Sequence, residues 1–319
     1  QFINQGLKDF RVFLNYGVIL SDLGKLKEAE LSYRKAIELK PNFAEAHSNL
    51  GQIFNQLGKL KEAEVSTRKA IELNPDFANA HSNLGLILLQ KGEYELSLRY
   101  FSISAQLLRG KDNKESEDIR FREVSQAKIQ HDIEQFDYLV SQGYETEKFN
   151  ELATVYKRVA TEINWPSETQ LIVLNNKQQR LLNNSYNRLL HRVEAPKINK
   201  NAVSNLLDIE KITNNYFNHE FGLTYIDNFL SPKALESLRK FLLESTIWFD
   251  IKPNGYIGAF LKEGLANPLI IQIADELKKK FPKIFKNNPI NQIWAFKYDS
   301  RSKQSNSSLK GINVHADFA

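Results

Sequence analysis

Apolar and polar positions in the first third of the chain repeat as a block. GVILSDLGKLKEAELSYRKAIELKPNFAEAHSNL (17–50) and GQIFNQLGKLKEAEVSTRKAIELNPDFANAHSNL (51–84) share about 25 of 34 aligned positions. Each block holds two amphipathic helical stretches and a closing proline. Gly17, Gly51 and Gly85 recur where two helices must approach closely. Ala29 and Ala63 recur as small residues at the helix crossing, with Ser97 in that place in the third unit, and Ala36 and Ala70 follow one turn later. Pro41 and Pro75 end the second helix of each unit, because proline cannot continue the hydrogen-bond ladder. The third unit, from Ala78, keeps His81, Leu84 and Gly85 but lacks the proline; it runs to Arg109 and Gly110, where the array is expected to end.

Beyond it, the polar stretch KDNKESE (111–117) reads as a flexible joint. Ile129, Ile133, Phe136 and Val140 then recur at helical spacing, as do Phe149, Leu152, Val155, Val159 and Ile163, before Trp165-Pro166 breaks the pattern. Residues 171–215 are rich in Asn and Leu and read as helical, interrupted near Ala195-Pro196. His131 and His191 fall in these predicted helices as structural or solvent-facing residues. His47 and His81 share one repeat position and read as packing groups rather than metal ligands.

The last hundred residues change period. Leu223 to Phe229 reads as a short strand, with Leu223, Tyr225, Asp227 and Phe229 on one face. Ser231 caps a helix with Pro232 in its first turn, and Leu235, Leu238, Phe241 and Leu242 form its stripe. Trp248, Phe249 and Ile251 suggest an extended piece, and Tyr256–Phe260 another. Asn267-Pro268 opens a helix carrying Ile270, Ile273, Ala274, Leu277 and Phe281, ended by Pro282. INQIWAFKYDS (290–300) is a strand candidate, followed by a polar loop and GINVHADFA (311–319).

Composition narrows the classes. Hydrophobic content of 42% and charge of 25% permit sizeable cores. The net charge of +5 is not gathered into a long basic run, which argues against a nucleic-acid partner. The chain has no cysteine, which removes disulfides and thiolate metal sites and fits a cytoplasmic location. No apolar run reaches the ~18 residues of a membrane span, so no membrane association is expected. No Gly-rich phosphate-cradling loop opens a helix, which argues against a glycosyl- or sulfotransferase. The first residue is Gln1, inside a repeat, and the chain reads as a fragment cut at both ends.

The fixed period of 34 residues resembles the tetratricopeptide repeat. Such arrays form α-helical superhelices, which implies a surface for a protein or peptide partner. The strand–helix unit YIDNFLSP, the strand ending in Lys297-Tyr298 and His315-Ala316-Asp317 together resemble the start of the prolyl-4-hydroxylase-like Fe(II)/2-oxoglutarate dioxygenases. In a strand, i and i+2 share a face, so His315 and Asp317 can converge on one ion. Those enzymes use two histidines and a carboxylate on one face of iron, the other positions staying open. The resemblance implies His315 and Asp317 as Fe(II) ligands and 2-oxoglutarate as co-substrate. A further histidine and a basic residue for 2-oxoglutarate are implied beyond Ala319. Tyr298 corresponds to a co-substrate contact in relatives or, equally, to a core aromatic. His219-Glu220 lacks the second histidine of an HExxH zinc site.

The expected organisation is therefore multidomain: an all-α tetratricopeptide superhelix (1–110), a helical linker (111–215), and the first part of an α+β double-stranded β-helix, or jelly-roll, oxygenase domain (216–319). The expected function is that of a truncated Fe(II)- and 2-oxoglutarate-dependent hydroxylase, itself inactive, carrying an interaction module. The alternative is a non-enzymatic tetratricopeptide scaffold that binds a protein or peptide.

Overall fold

A computed structural model of the chain describes residues 9–110, 118–167, 170–251, 256–285 and 292–298. It divides into two compact units, Gln1–Leu108 and Arg109–Ala319.

The first unit is a stack of three helical hairpins: α1 (Phe10–Asp22) with α2 (Leu26–Leu39), α3 (Ala44–Gln56) with α4 (Leu60–Leu73), and α5 (Ala78–Lys91) with α6 (Tyr94–Arg109). Its core joins Leu14, Leu20, Tyr33, Leu50, Ile53 and Phe54 to the fully buried Ala29, Ala36, Ala46 and Ala63. The recurrent glycines sit at the closest approach within each hairpin. A Cβ on Gly17 would lie 2.5 Å from a Tyr33 ring carbon, and one on Gly51 would lie 2.2 Å from Thr67 Oγ1. Serine hydroxyls tie the hairpins further: Ser32 Oγ donates to Phe13 O at 2.7 Å, Ser66 Oγ to His47 O at 2.9 Å and Ser97 Oγ to Gly85 O at 2.7 Å. The repeated histidines have a local role. His47 Nε2 donates to Pro41 O at 2.9 Å and His81 Nε2 to Pro75 O at 2.7 Å, pinning each inter-repeat loop to the next helix.

A charge lattice also repeats. Glu30 accepts from Arg34 at 2.9 Å and from Lys59 of the next hairpin at 3.3 Å. Glu64 accepts from Arg68 at 2.8 Å and from Lys91 at 2.6 Å. The Lys91 and Arg68 hydrogen bonds hold the Glu64 carboxyl below its usual range against partial burial.

The second unit begins with β1 (Glu123–Val124), paired antiparallel with β2 (Ile172–Val173), and the hairpin of α7 (Gln126–Ser141) and α8 (Thr146–Glu162). Ser125 caps α7 by accepting from Lys128 N. Ile129, Ile133 and Phe136 of α7 pack on Phe149, Tyr156 and Val159 of α8, as their spacing requires.

Residues 171–215 depart from the expected helix. Only α9 (Asn176–Leu182) and the start of α10 (Ile209–Asn218) are helical there, and His191 lies in extended chain between them. The cause is a set of side chains that take the backbone groups a helix would satisfy itself. Gln272 Oε1 accepts from Ile198 N at 2.8 Å while its Nε2 donates to Ile198 O and Lys200 O, both at 3.1 Å. Glu276 accepts from Ala202 N at 3.1 Å and Val203 N at 2.8 Å.

Leu223–Phe229 is not a strand either. Leu223 and Tyr225 are exposed, Asn228 adopts a positive φ of 53°, and the pairing nearby is one isolated bridge, Val203 to Leu230. No partner strand reaches this stretch among the described residues. Ile226 and Phe229 pack instead beside Ile212, Leu277 and Phe281.

The caps expected after it are present. Ser231 opens α11 (Pro232–Glu244), and Asn267 accepts from Ile270 N at 2.9 Å to open α12 (Pro268–Lys280). Lys280 ends α12, and Pro282 starts the short α13 (Pro282–Phe285). Strands β3 (Asp250–Ile251), β4 (Tyr256–Phe260) and β5 (Trp294–Tyr298) form one antiparallel sheet in the order β3-β4-β5. Asp250 pairs with Gly258, Phe260 with Trp294, and Tyr256 with Tyr298. The described residues thus hold one two-stranded and one three-stranded sheet, and a jelly-roll is not among them.

Candidate functional site

Tyr298 ends β5 opposite Tyr256; its side chain lies outside the described residues, as do His315 and Asp317. Among the described residues no group of three or more His, Asp or Glu side chains is gathered to hold a metal ion.

What the second unit does gather is a buried polar cluster that the sequence reading did not single out. Lys128 and Asp132 stand one helical turn apart on α7, with Nζ 2.5 and 2.6 Å from the two carboxylate oxygens. His131 Nδ1 lies 3.2 Å from Asp132 Oδ1. All three side chains are buried. Burial pushes the His131 pKa down to about 4, helped by the positive charge of Lys297. Burial pushes the Asp132 carboxyl up, but the charge of Lys128 and the hydrogen bonds from His131 and Lys128 together hold it below its usual range, so it stays ionised. A neutral His131 therefore donates Nδ1–H to Asp132, and its Nε2 is left as an acceptor without a protein partner. A cavity of about 20 Å³ adjoins it, lined by Gln135, Asn187 and Trp248 among others, with room for one water molecule. The arrangement fixes the His131 tautomer, and the cavity is too small for a substrate.

Arg109 and Glu263 form a second buried pair, with the guanidinium over the Phe249 ring at 4.7 Å. Burial lowers the Arg109 pKa against the pull of Glu263. They border an open pocket of about 390 Å³ that also presents Arg120, Glu123, Asp250 and Lys262. The acids and bases at its wall balance, so it selects neither an anion nor a cation. A larger, apolar groove of about 690 Å³ runs between α10, α11, α12 and β5, lined by residues such as Ile273, Leu277, Phe285 and Trp294.

In the first unit the leading helices of the hairpins, α1, α3 and α5, lie side by side. Glu45, Gln52, Gln56 and Asn79 are exposed on α3 and α5. Asn49 and Asn83, half-buried, occupy the same position 34 residues apart. Asn83 Nδ2 donates to Ser48 Oγ at 3.1 Å, which links one repeat to the next. The surface is rich in carboxamides.

Comparison with known proteins agrees with the first unit. Residues 17–58 and 51–92 match the family model of the TPR, or tetratricopeptide, repeat. The chain carries these repeats over 17–92, a minority of its length. No curated protein gives a significant match to the chain. Among solved structures, the first TPR of Spaghetti (RPAP3) bound to the HSP90 peptide SRMEEVD aligns at 22% identity over 31% of this chain and 79% of that one, with a TM-score of 0.31. Among the described residues no helix is long and apolar enough to cross a membrane.

Proposed function

We propose that the chain works as a tetratricopeptide interaction module, binding an extended protein or peptide segment across α1, α3 and α5, with the second unit carried on the same chain. The observation that carries this is the carboxamide-rich surface repeated from α3 to α5. Asn and Gln side chains both donate and accept, as peptide groups do, so evenly spaced amides suit the backbone of an extended chain. The test is selection from a displayed peptide library on the full chain, followed by Asn49→Ala with Asn83→Ala. The expected result is at least about tenfold weaker binding by the double variant, roughly the loss of one or two hydrogen bonds. Enriched peptides that bind the double variant equally well would place the partner elsewhere.

A second reading keeps the oxygenase resemblance. It is motivated by β5, which ends at the Lys297-Tyr298 pair that carries part of that resemblance. On this reading His315 and Asp317 hold Fe(II) and Tyr298 faces 2-oxoglutarate. The iron would supply oxidative decarboxylation of the co-substrate coupled to hydroxylation. The described residues offer no ligand set of their own, so the reading rests on those three positions alone. It is tested by succinate release from 2-oxoglutarate by the full gene product, with His315→Ala as comparison. Equal turnover in the two would rule out His315 as a ligand.

A further inference from the structure

Arg109, Glu263 and Asn187 share the wall of the pocket of about 390 Å³ in the second unit. Arg109 and Asn187 are 3% and 4% exposed, and each keeps one polar atom without a hydrogen-bond partner among the described residues. Arg109 spends Nε and Nη2 on one Glu263 oxygen, at 3.0 and 2.7 Å, and Nη1 is left over as a donor. Asn187 Nδ2 donates to Arg120 O at 2.6 Å. Exchanging its amide oxygen and nitrogen would set two oxygens against each other, so the atom left over is Oδ1, an acceptor. Buried polar groups find partners almost everywhere in folded proteins. A donor and an acceptor left open at one pocket therefore call for a ligand that supplies the complement of each.

Charge narrows that ligand. The wall holds three cations, Arg109, Arg120 and Lys262, and three carboxylates, Glu123, Asp250 and Glu263. A ligand with a net charge would upset the balance, so the complement is neutral as a whole. The local demand at Arg109 is different. Burial lowers its pKa and the nearby charge of Arg120 adds to the effect, so Glu263 alone does not offset the guanidinium. An ionised acceptor, a carboxylate, meets Nη1 better than a neutral carbonyl does. The charge it brings is cancelled when the same molecule carries an ammonium, whose three donors can serve both Asn187 Oδ1 and a wall carboxylate. Phe249, Ile251 and Phe260 supply apolar wall, and the volume lies in the range of small-molecule pockets.

We infer that this pocket binds a free α-amino acid with an apolar side chain, its carboxylate on Arg109 Nη1, its ammonium on Asn187 Oδ1 and its side chain against Phe249, Ile251 and Phe260. The site uses no residue of the amide-rich surface of the first unit, nor Tyr298, His315 or Asp317, so it stands or falls apart from both readings above.

The test is titration calorimetry of the full chain with L-leucine and L-phenylalanine. The comparison ligands are leucinamide, which lacks the carboxylate, and N-acetyl-L-leucine, which lacks the ammonium. At least one of the two amino acids should bind saturably at one site, and the matching derivatives should each bind at least about tenfold more weakly, as the loss of a charge-assisted hydrogen bond requires. Two variants locate the site. Ile119 lines the pocket and is 51% exposed, so Ile119→Trp should narrow the pocket without disturbing the fold, and it should weaken amino-acid binding by about tenfold or more. Lys262→Glu, also at an exposed position, turns one of the three wall cations into a fourth carboxylate. It should strengthen leucinamide binding and weaken that of N-acetyl-L-leucine. Melting temperatures equal to that of the native chain show that the variants fold, and the derivative series needs no variant at all. Absence of saturable binding by both amino acids would overturn the inference. So would a derivative that binds as tightly as its parent, or binding that both folded variants leave unchanged.

Discussion

Arg109 donates two hydrogen bonds to a single oxygen of Glu263, at 3.0 Å from Nε and 2.7 Å from Nη2, and both side chains are buried. The two residues are 154 positions apart, so the contact closes the second unit from its first residue to the turn after β4. Removing the carboxylate leaves a buried guanidinium without its counter-charge. Glu263→Gln should destabilise the unit by about 3 kcal/mol or more. The joint replacement Arg109→Met with Glu263→Leu should recover much of that loss, because an apolar pair needs no desolvation of charge. Urea denaturation of the three variants decides it: a double variant no better than Glu263→Gln would show that the pair also fixes the local conformation.

His131 gives a pH dependence whose sign follows from its surroundings. Its folded pKa is about 4, below the ordinary value of 6.5, because the imidazole is buried near Lys297 and Lys128. The unfolded chain therefore binds the proton first. Stability is complete above about pH 6.5, falls as the pH drops through the window, and has lost this contribution below about pH 4. The full span is on the order of a few kcal/mol. Denaturation midpoints at pH 7, 5.5 and 4 should converge between the native chain and His131→Gln as the pH falls. A constant difference across the three would mean that His131 does not titrate as described.

The two clusters in these predictions mark the limit of what could be read in the sequence. Ile129, Ile133 and Phe136 announce the buried face of α7 by period alone. Lys128 and Asp132 lie one turn apart on the same helix, but nothing local in the sequence shows that Tyr186, on a later segment, lies over Lys128 Nζ at 5.4 Å. The repeats were legible because their information is local and is stated three times. Residues 195–204 were not, because their extended form is imposed by Gln272 and Glu276, which are some 70 residues away. Leu223–Phe229 failed for the converse reason: strand-forming residues make a strand where a partner edge is present, and none is described there.

Those same acceptors make a local prediction. Glu276 holds the Ala202 and Val203 amides together, and Glu276→Ala leaves both donors without an acceptor. The expected loss is about 2 kcal/mol. Hydrogen exchange at Ala202 and Val203 should accelerate far more than at Leu269, whose amide donates to Ala195 O and keeps its partner. Uniform acceleration at all three would indicate global destabilisation rather than release of this segment.

Gly51 tests the repeat architecture itself. A methyl group there meets the Thr67 hydroxyl at 2.2 Å, and the Ala63 carbonyl at 3.1 Å, in a hairpin whose two helices are already in contact. Neither neighbour is the free end of a flexible chain. Gly51→Ala should destabilise the first unit by about 1–3 kcal/mol through overpacking, although alanine is the better helix former. Thr67 is fully buried and its Oγ1 has no hydrogen-bond partner, so shortening it removes the clash without breaking a bond. Thr67→Ala added to Gly51→Ala should therefore return most of the loss, and the pair should show a coupling of about 1 kcal/mol or more in a double-mutant cycle. Additive effects of the two substitutions, measured by thermal denaturation of the full chain, would mean that the hairpin spreads to accept the methyl group and that close approach is not what keeps glycine at positions 17, 51 and 85.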